Sequence, residues 1–97
     1  MKLRAIAAVV NRAGEILLCR RPSRKRHGDL WEFPGGKSRP GESTLSTLQR
    51  ELSEELGVTV RSVSGSSIAL PDPGSDYTIE FVPTEILGEP QPLEHTE

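Results

Sequence analysis

Residues 35–58 read GGKSRPGESTLSTLQRELSEELGV, and the rest of the 97-residue chain is arranged around them. Gly35 and Gly36 open a loop that carries Pro40 and Gly41, and a periodic segment follows. At about 100° per residue, Leu45, Leu48, Leu52 and Leu56 fall on one stripe, which predicts an amphipathic helix with that stripe facing a core. Ser43 or Thr44 can cap its start, and Gly57 is a natural residue to end it in the left-handed conformation.

The end of this helix is unusual. Glu51, Glu54 and Glu55 crowd into five residues where the peptide dipoles already leave partial negative charge. Glu51 lies i,i+3 from Glu54 and i,i+4 from Glu55, and each like-charge pair costs roughly 0.2–0.5 kcal/mol. On the helical wheel the carboxylates stand about 60° (Glu55), 100° (Glu51) and 160° (Glu54) from the stripe centre, all on one flank. Arg50 is i,i+4 from Glu54, close enough to orient a carboxylate. A solvated acidic flank is one reading. The other is a divalent cation, and clustered carboxylate oxygens suit Mg²⁺, which shares its shell with water and phosphate.

Gly36, five residues, Glu42, seven residues, then Arg50-Glu51-Leu52-Ser53-Glu54-Glu55-Leu56-Gly57-Val58 resembles a complete Nudix box. From the first strand through LWEFPGG (30–36) to GEPQPLEHTE (88–97), the chain is similar to the MutT-like subgroup. The resemblance implies an α/β fold, a Nudix-like α/β/α sandwich with a mixed sheet. It implies hydrolysis of a nucleoside triphosphate, damaged or modified dNTPs included, to the monophosphate and pyrophosphate. The cofactor implied is Mg²⁺, with Mn²⁺ as a substitute. Glu51, Glu54 and Glu55 would form the metal shell with a backbone carbonyl of Gly35 or Gly36, Arg50 would hold the carboxylates, and Glu42 would pair with that arginine. Arg21 would grip phosphate. One of Glu51, Glu54 and Glu55, or Glu94, would deprotonate the attacking water; Glu94 would otherwise be a further ligand, with Glu97 as its substitute. Relatives continue past this point, so a single domain over residues 1–97 is expected to lack a C-terminal strand and helix. An apolar sheet face from the strands at 3–10 and 77–82 would then be covered by further chain or by a second copy in a homodimer.

Other functions are less well served. All twelve Lys and Arg lie within residues 1–61, where net charge is +5, whereas residues 62–97 carry −7. The basic half is interrupted by the carboxylates, which argues against a stable nucleic-acid complex. The apolar run in MKLRAIAAVV ends after six residues, too short for a signal peptide, and nothing approaches a membrane span. The single cysteine, Cys19, suits a reducing cytoplasm and reads as a buried thiol in a strand. Rival readings are hydrolysis of a dinucleoside polyphosphate or nucleotide sugar, and a non-catalytic nucleotide sensor. The intact carboxylate pattern argues against the sensor.

Around the motif, residues 3–10 read as a buried strand, Asn11–Gly14 as a turn and Glu15–Arg21 as the returning strand. The loop 22–29 carries Arg24, Lys25, Arg26 and His27, either solvated or bordering the phosphate site. Leu30–Phe33 is a short strand, and Val58–Leu70 one irregular strand. Pro71–Gly74 is a turn. Residues 77–82 alternate as a half-buried strand whose Tyr77 and Phe81 are core or base-stacking groups. Pro83 marks an edge or bulge, and residues 88–92 lead out in extended form.

Overall fold

The structure, a computed structural model, describes residues 3–20, 30–63 and 67–93. In chain order its elements are β1 (Leu3–Val9), β2 (Asn11–Arg12), β3 (Glu15–Ile16), β4 (Cys19–Arg20), β5 (Trp31–Glu32), β6 (Gly35–Lys37), α1 (Thr44–Leu56), β7 (Thr59–Val63), β8 (Ile68–Pro71) and β9 (Tyr77–Leu87). β1 runs antiparallel to β6 and parallel to β9, and β9 takes β7 and β8 as antiparallel partners. The sheet is therefore mixed, as expected, with α1 as the one helix among the described residues.

Side chains opposite each other in a ladder share a face. Ile6 and Ala8 of β1 thus lie with Val82, Thr84 and Ile86 of β9 and Val60 of β7, and this face packs on Leu48, Leu52 and Leu56 of α1. Leu48 and Leu52 are fully buried, so truncating either to Ala should cost roughly 2–5 kcal/mol. The other face carries Leu3, Ala5 and Ala7 beside Tyr77, Ile79 and Phe81, then Leu70 and Ile68 of β8. Phe33 meets Phe81 edge to face there, while Leu3, Ile68 and Leu70 are exposed.

Several local expectations need correction. Leu45 is exposed, and Thr47 takes the buried place, hydrogen-bonded to Ser38 (2.8 Å). The segment 15–21 is not one returning strand. A two-residue turn at Ala13-Gly14, both with positive φ, joins β2 to β3, after which β4 leaves to pair with β5. The glycine pair belongs to β6 rather than to a free turn. Among the described residues, Thr59–Val63 and Ile68–Pro71 are two strands with separate pairings on β9, and the last strand continues to Leu87 through Pro83. Pro83 falls between the residues paired to β8 (78–81) and those paired to β7 (84–87), at the last pair of the parallel ladder with β1, opposite Val9. No helix among the described residues is long and apolar enough to cross a membrane.

Candidate active site

The site is assembled at the C-terminal half of α1. Its framework is Arg50, whose Nε and Nη2 donate to the two oxygens of Glu42 (2.8 and 2.7 Å). The same guanidinium donates to Glu51 Oε1 (2.7 Å) and to the Lys37 carbonyl (3.1 Å), so one side chain ties loop, strand β6 and helix together. Such charge-assisted, bidentate contacts are the stronger class of hydrogen bond. Together with the Arg39 N–H (2.7 Å), they hold the Glu42 carboxyl near a pKa of about 2, and they raise that of Arg50. Glu42 is thus fixed as an anion that positions Arg50. The expected partnership with Glu54 is weak, at 4.0 Å, and Glu51 is the carboxylate that Arg50 orients.

The glycines of β6 act on two different carboxylates. A Cβ on Gly36 would stand 2.5–2.8 Å from the Glu51 carboxyl atoms, so the missing side chain is the space Glu51 occupies. At Gly35 the backbone passes so close to the Ile6 carbonyl, at φ +142, that no side chain fits. The Gly35 N–H donates to Glu55 Oε2 (3.2 Å). Burial follows the wheel: Glu55 is buried, Glu51 mostly so and Glu54 half exposed. Cys19 is buried, and its thiol is pushed up to about 11 by burial and by the charges of Glu55 and Glu32, which keeps it protonated at neutral pH.

The helix end is closed from outside. Gly57 (φ 68, ψ 26) turns the chain and donates to the Ser53 carbonyl. The Leu56 and Glu55 carbonyls accept from Gln91 and Leu93 N–H (both 2.9 Å). These are otherwise unsatisfied acceptors of a helix terminus, and no basic side chain lies in the last turn. Sequence reasoning missed this tail contact; the signal available was Pro-Gln-Pro-Leu, in which only Gln91 and Leu93 keep an N–H.

Of the candidate residues, Arg50, Glu51, Glu54, Glu55, Gly35 and Gly36 are gathered on this flank. Arg21, Glu94 and the 22–29 basic loop lie outside the described residues. Among the described residues no three His, Cys, Asp or Glu side chains converge closely enough to hold a metal ion. What is present is an open row of hard oxygen donors. Glu51 Oε2 and the half-exposed Glu54 carboxylate accept no hydrogen bond from the described protein. That donor chemistry fits a hard divalent ion which completes its shell with water and phosphate.

Comparison with known proteins agrees with this architecture. The NUDIX domain model matches residues 1–97. Over 56 residues the chain is 48% identical to a CTP pyrophosphohydrolase of Escherichia coli, covering 58% of this chain and 42% of the relative. It is 38% identical over 60 residues to an 8-oxo-dGTP diphosphatase of Proteus vulgaris, covering 61% and 54%. The crystal structure of a MutT NUDIX hydrolase from Burkholderia pseudomallei superposes with a TM-score of 0.84 at 26% identity, covering all of this chain and 80% of that one. The chain spans about half the length of these two curated relatives. On the motif, the fold and these matches together, the chain belongs to the Nudix family.

Proposed function

We propose that the protein hydrolyses a nucleoside triphosphate to the monophosphate and pyrophosphate with a divalent ion, Mg²⁺ or in its place Mn²⁺, held by Glu51, Glu54 and Glu55 with a carbonyl of β6. The observation that carries the reading is the row of carboxylates on one flank of α1, with Glu51 fitted against Gly36 and aimed by Arg50. The bound ion would gather phosphate oxygens and neutralise charge on the leaving group. The chain's own residues do the rest. Arg50 keeps Glu51 from swinging away, and the Gly35 N–H keeps Glu55 turned toward the loop. Glu54, half exposed and accepting no hydrogen bond from the described residues, is placed to take a proton from an attacking water, as is Glu94 in the resemblance. Arg21 grips phosphate on the same analogy. The two curated relatives named above act, by their names, on CTP and on 8-oxo-dGTP, which favours a triphosphate over a nucleotide sugar.

The test is a panel of nucleoside triphosphates, oxidised and methylated forms included, assayed for pyrophosphate release with and without Mg²⁺. Pyrophosphate released from at least one triphosphate only when Mg²⁺ is present supports the reading. Release of orthophosphate instead, or no turnover of any triphosphate, overturns it.

A further inference from the structure

Arg12, distant in sequence from the carboxylates, has no part in the proposed hydrolysis. It sits in β2, just before the Ala13-Gly14 turn, and its guanidinium faces the end of β9. Nη2 donates to the carbonyls of Ile86 (3.2 Å) and Gly88 (2.8 Å), and Nη1 lies 3.6 Å from the Glu89 carboxylate. Gly88 (φ +101) is where the chain leaves the sheet. Five residues later the tail has reached α1, with Gln91 N–H on the Leu56 carbonyl and Leu93 N–H on that of Glu55. The Leu93 N–H is shared with the Gln91 carbonyl (2.8 Å), and Leu93 Cδ1 lies 3.4 Å from where a Cβ on Gly57 would stand.

We infer that Arg12 is a positioning residue that anchors Gly88 and Glu89, so that the tail amides clamp the last turn of α1 and hold Glu54 and Glu55 in register for the ion and substrate. The inference rests on the proposed reading of those carboxylates. The physical chain is short. The Nη2 nitrogen donates to both carbonyls while Nη1 faces Glu89, so one planar, rigid group holds three acceptors in a fixed geometry that a single flexible ammonium does not reproduce. Pro90 and Pro92 restrict the backbone between anchor and clamp, so an anchored start delivers the amides to the carbonyls at low entropic cost. The clamp also brings N–H dipoles to a helix end that carries three carboxylates and no base. Without the anchor the last turn, which holds Glu54 and Glu55, is free to fray.

The experiment compares wild type with Arg12→Ala, Arg12→Lys and, as a control, Arg61→Ala. Arg61 of β7 pairs with Glu85 of β9 (3.2 Å), before the chain leaves the sheet at Gly88. Circular dichroism first establishes that each variant is folded at the working temperature. Hydrogen exchange is then followed at the Gln91 and Leu93 amides, Mn²⁺ binding by electron paramagnetic resonance with MnCl₂ alone, and kcat and KM on the best nucleotide. Arg12→Ala should speed exchange at both amides about tenfold while amides of β1 and β9 hold. Mn²⁺ binding should weaken about tenfold, and kcat should fall with KM nearly unchanged. Arg12→Lys should recover only part of each, and Arg61→Ala should match wild type. Unchanged exchange in Arg12→Ala overturns the anchor. Faster exchange with unchanged Mn²⁺ binding and kcat overturns the positioning role. Failure of the wild type to bind Mn²⁺ or cleave nucleotides instead refutes the proposed function, and is seen before any variant is compared; the exchange result still decides the anchor.

Discussion

The two ends of α1 are built by different means. At the N-terminal end Ser43 caps the helix by accepting from Ser46 N–H (3.1 Å), and Thr44 links Arg4 (2.8 Å) to Glu80 (2.9 Å). Those contacts are made by polar side chains, and Ser43 satisfies a backbone N–H that the helix itself leaves open. At the C-terminal end the charges oppose the dipole, and relief comes from elsewhere: Arg50 one turn back, the Gly35 N–H, and the tail amides. An end optimised for stability would look like the first. The second spends stability on chemistry, as functional sites commonly do.

Substitutions at the two ends should therefore separate activity from stability. The largest effect is expected for Glu54→Gln, which should lower turnover roughly 10²–10⁴-fold in the pyrophosphate assay. Because Glu54 is half exposed and 4.0 Å from Arg50, its unfolding temperature should stay level or rise slightly. Unfolding of this variant, or full turnover, would dissolve the contrast.

Next is Gly36→Ala. Its Cβ displaces the Glu51 carboxyl, and misplacement of that size should cost roughly 10–100-fold in rate. Gly36 has no positive φ and meets only the end of a flexible side chain, so stability should remain within about 1 kcal/mol. Denaturant melts beside kinetics decide it.

Ser43→Ala tests the opposite end. Loss of the cap should remove about 1 kcal/mol and leave turnover within about twofold of wild type. A large rate effect would mean that the N-terminal end is also part of the site.

The smallest effect concerns acid. Glu42 has a folded pKa of about 2, below its ordinary 4.5, so the unfolded chain takes up the proton first. Its stabilisation is complete above about pH 4.5 and is lost as pH falls toward about 2. In Glu42→Gln, thermal melts across that window should show a shallower acid limb than in wild type.

Much of this was legible in one dimension because it depends on spacing. Helix periodicity fixed the order of burial Glu55, Glu51, Glu54, and Ser43 and Gly57 announced the helix bounds by their own backbone chemistry. The spacing of Gly36, Glu42, Arg50 and the three glutamates identified the family. Other features depended on partners distant in the chain. Leu45 is exposed and Thr47 buried because Ser38 and the edge of β6 decide what the first turn of α1 meets. Pro83 sits inside a long strand at the point where two different partners abut. Arg50 orients Glu51 rather than Glu54 because the loop brings Glu42 and the Lys37 carbonyl onto the guanidinium and turns it toward β6. The tail amides of Gln91 and Leu93 meet Leu56 and Glu55 across more than thirty residues of sequence. Local backbone preference and period are properties of a segment, and the sequence by itself determines them. Which donor meets which acceptor across the sheet is a property of closure, and only the tertiary structure decides it.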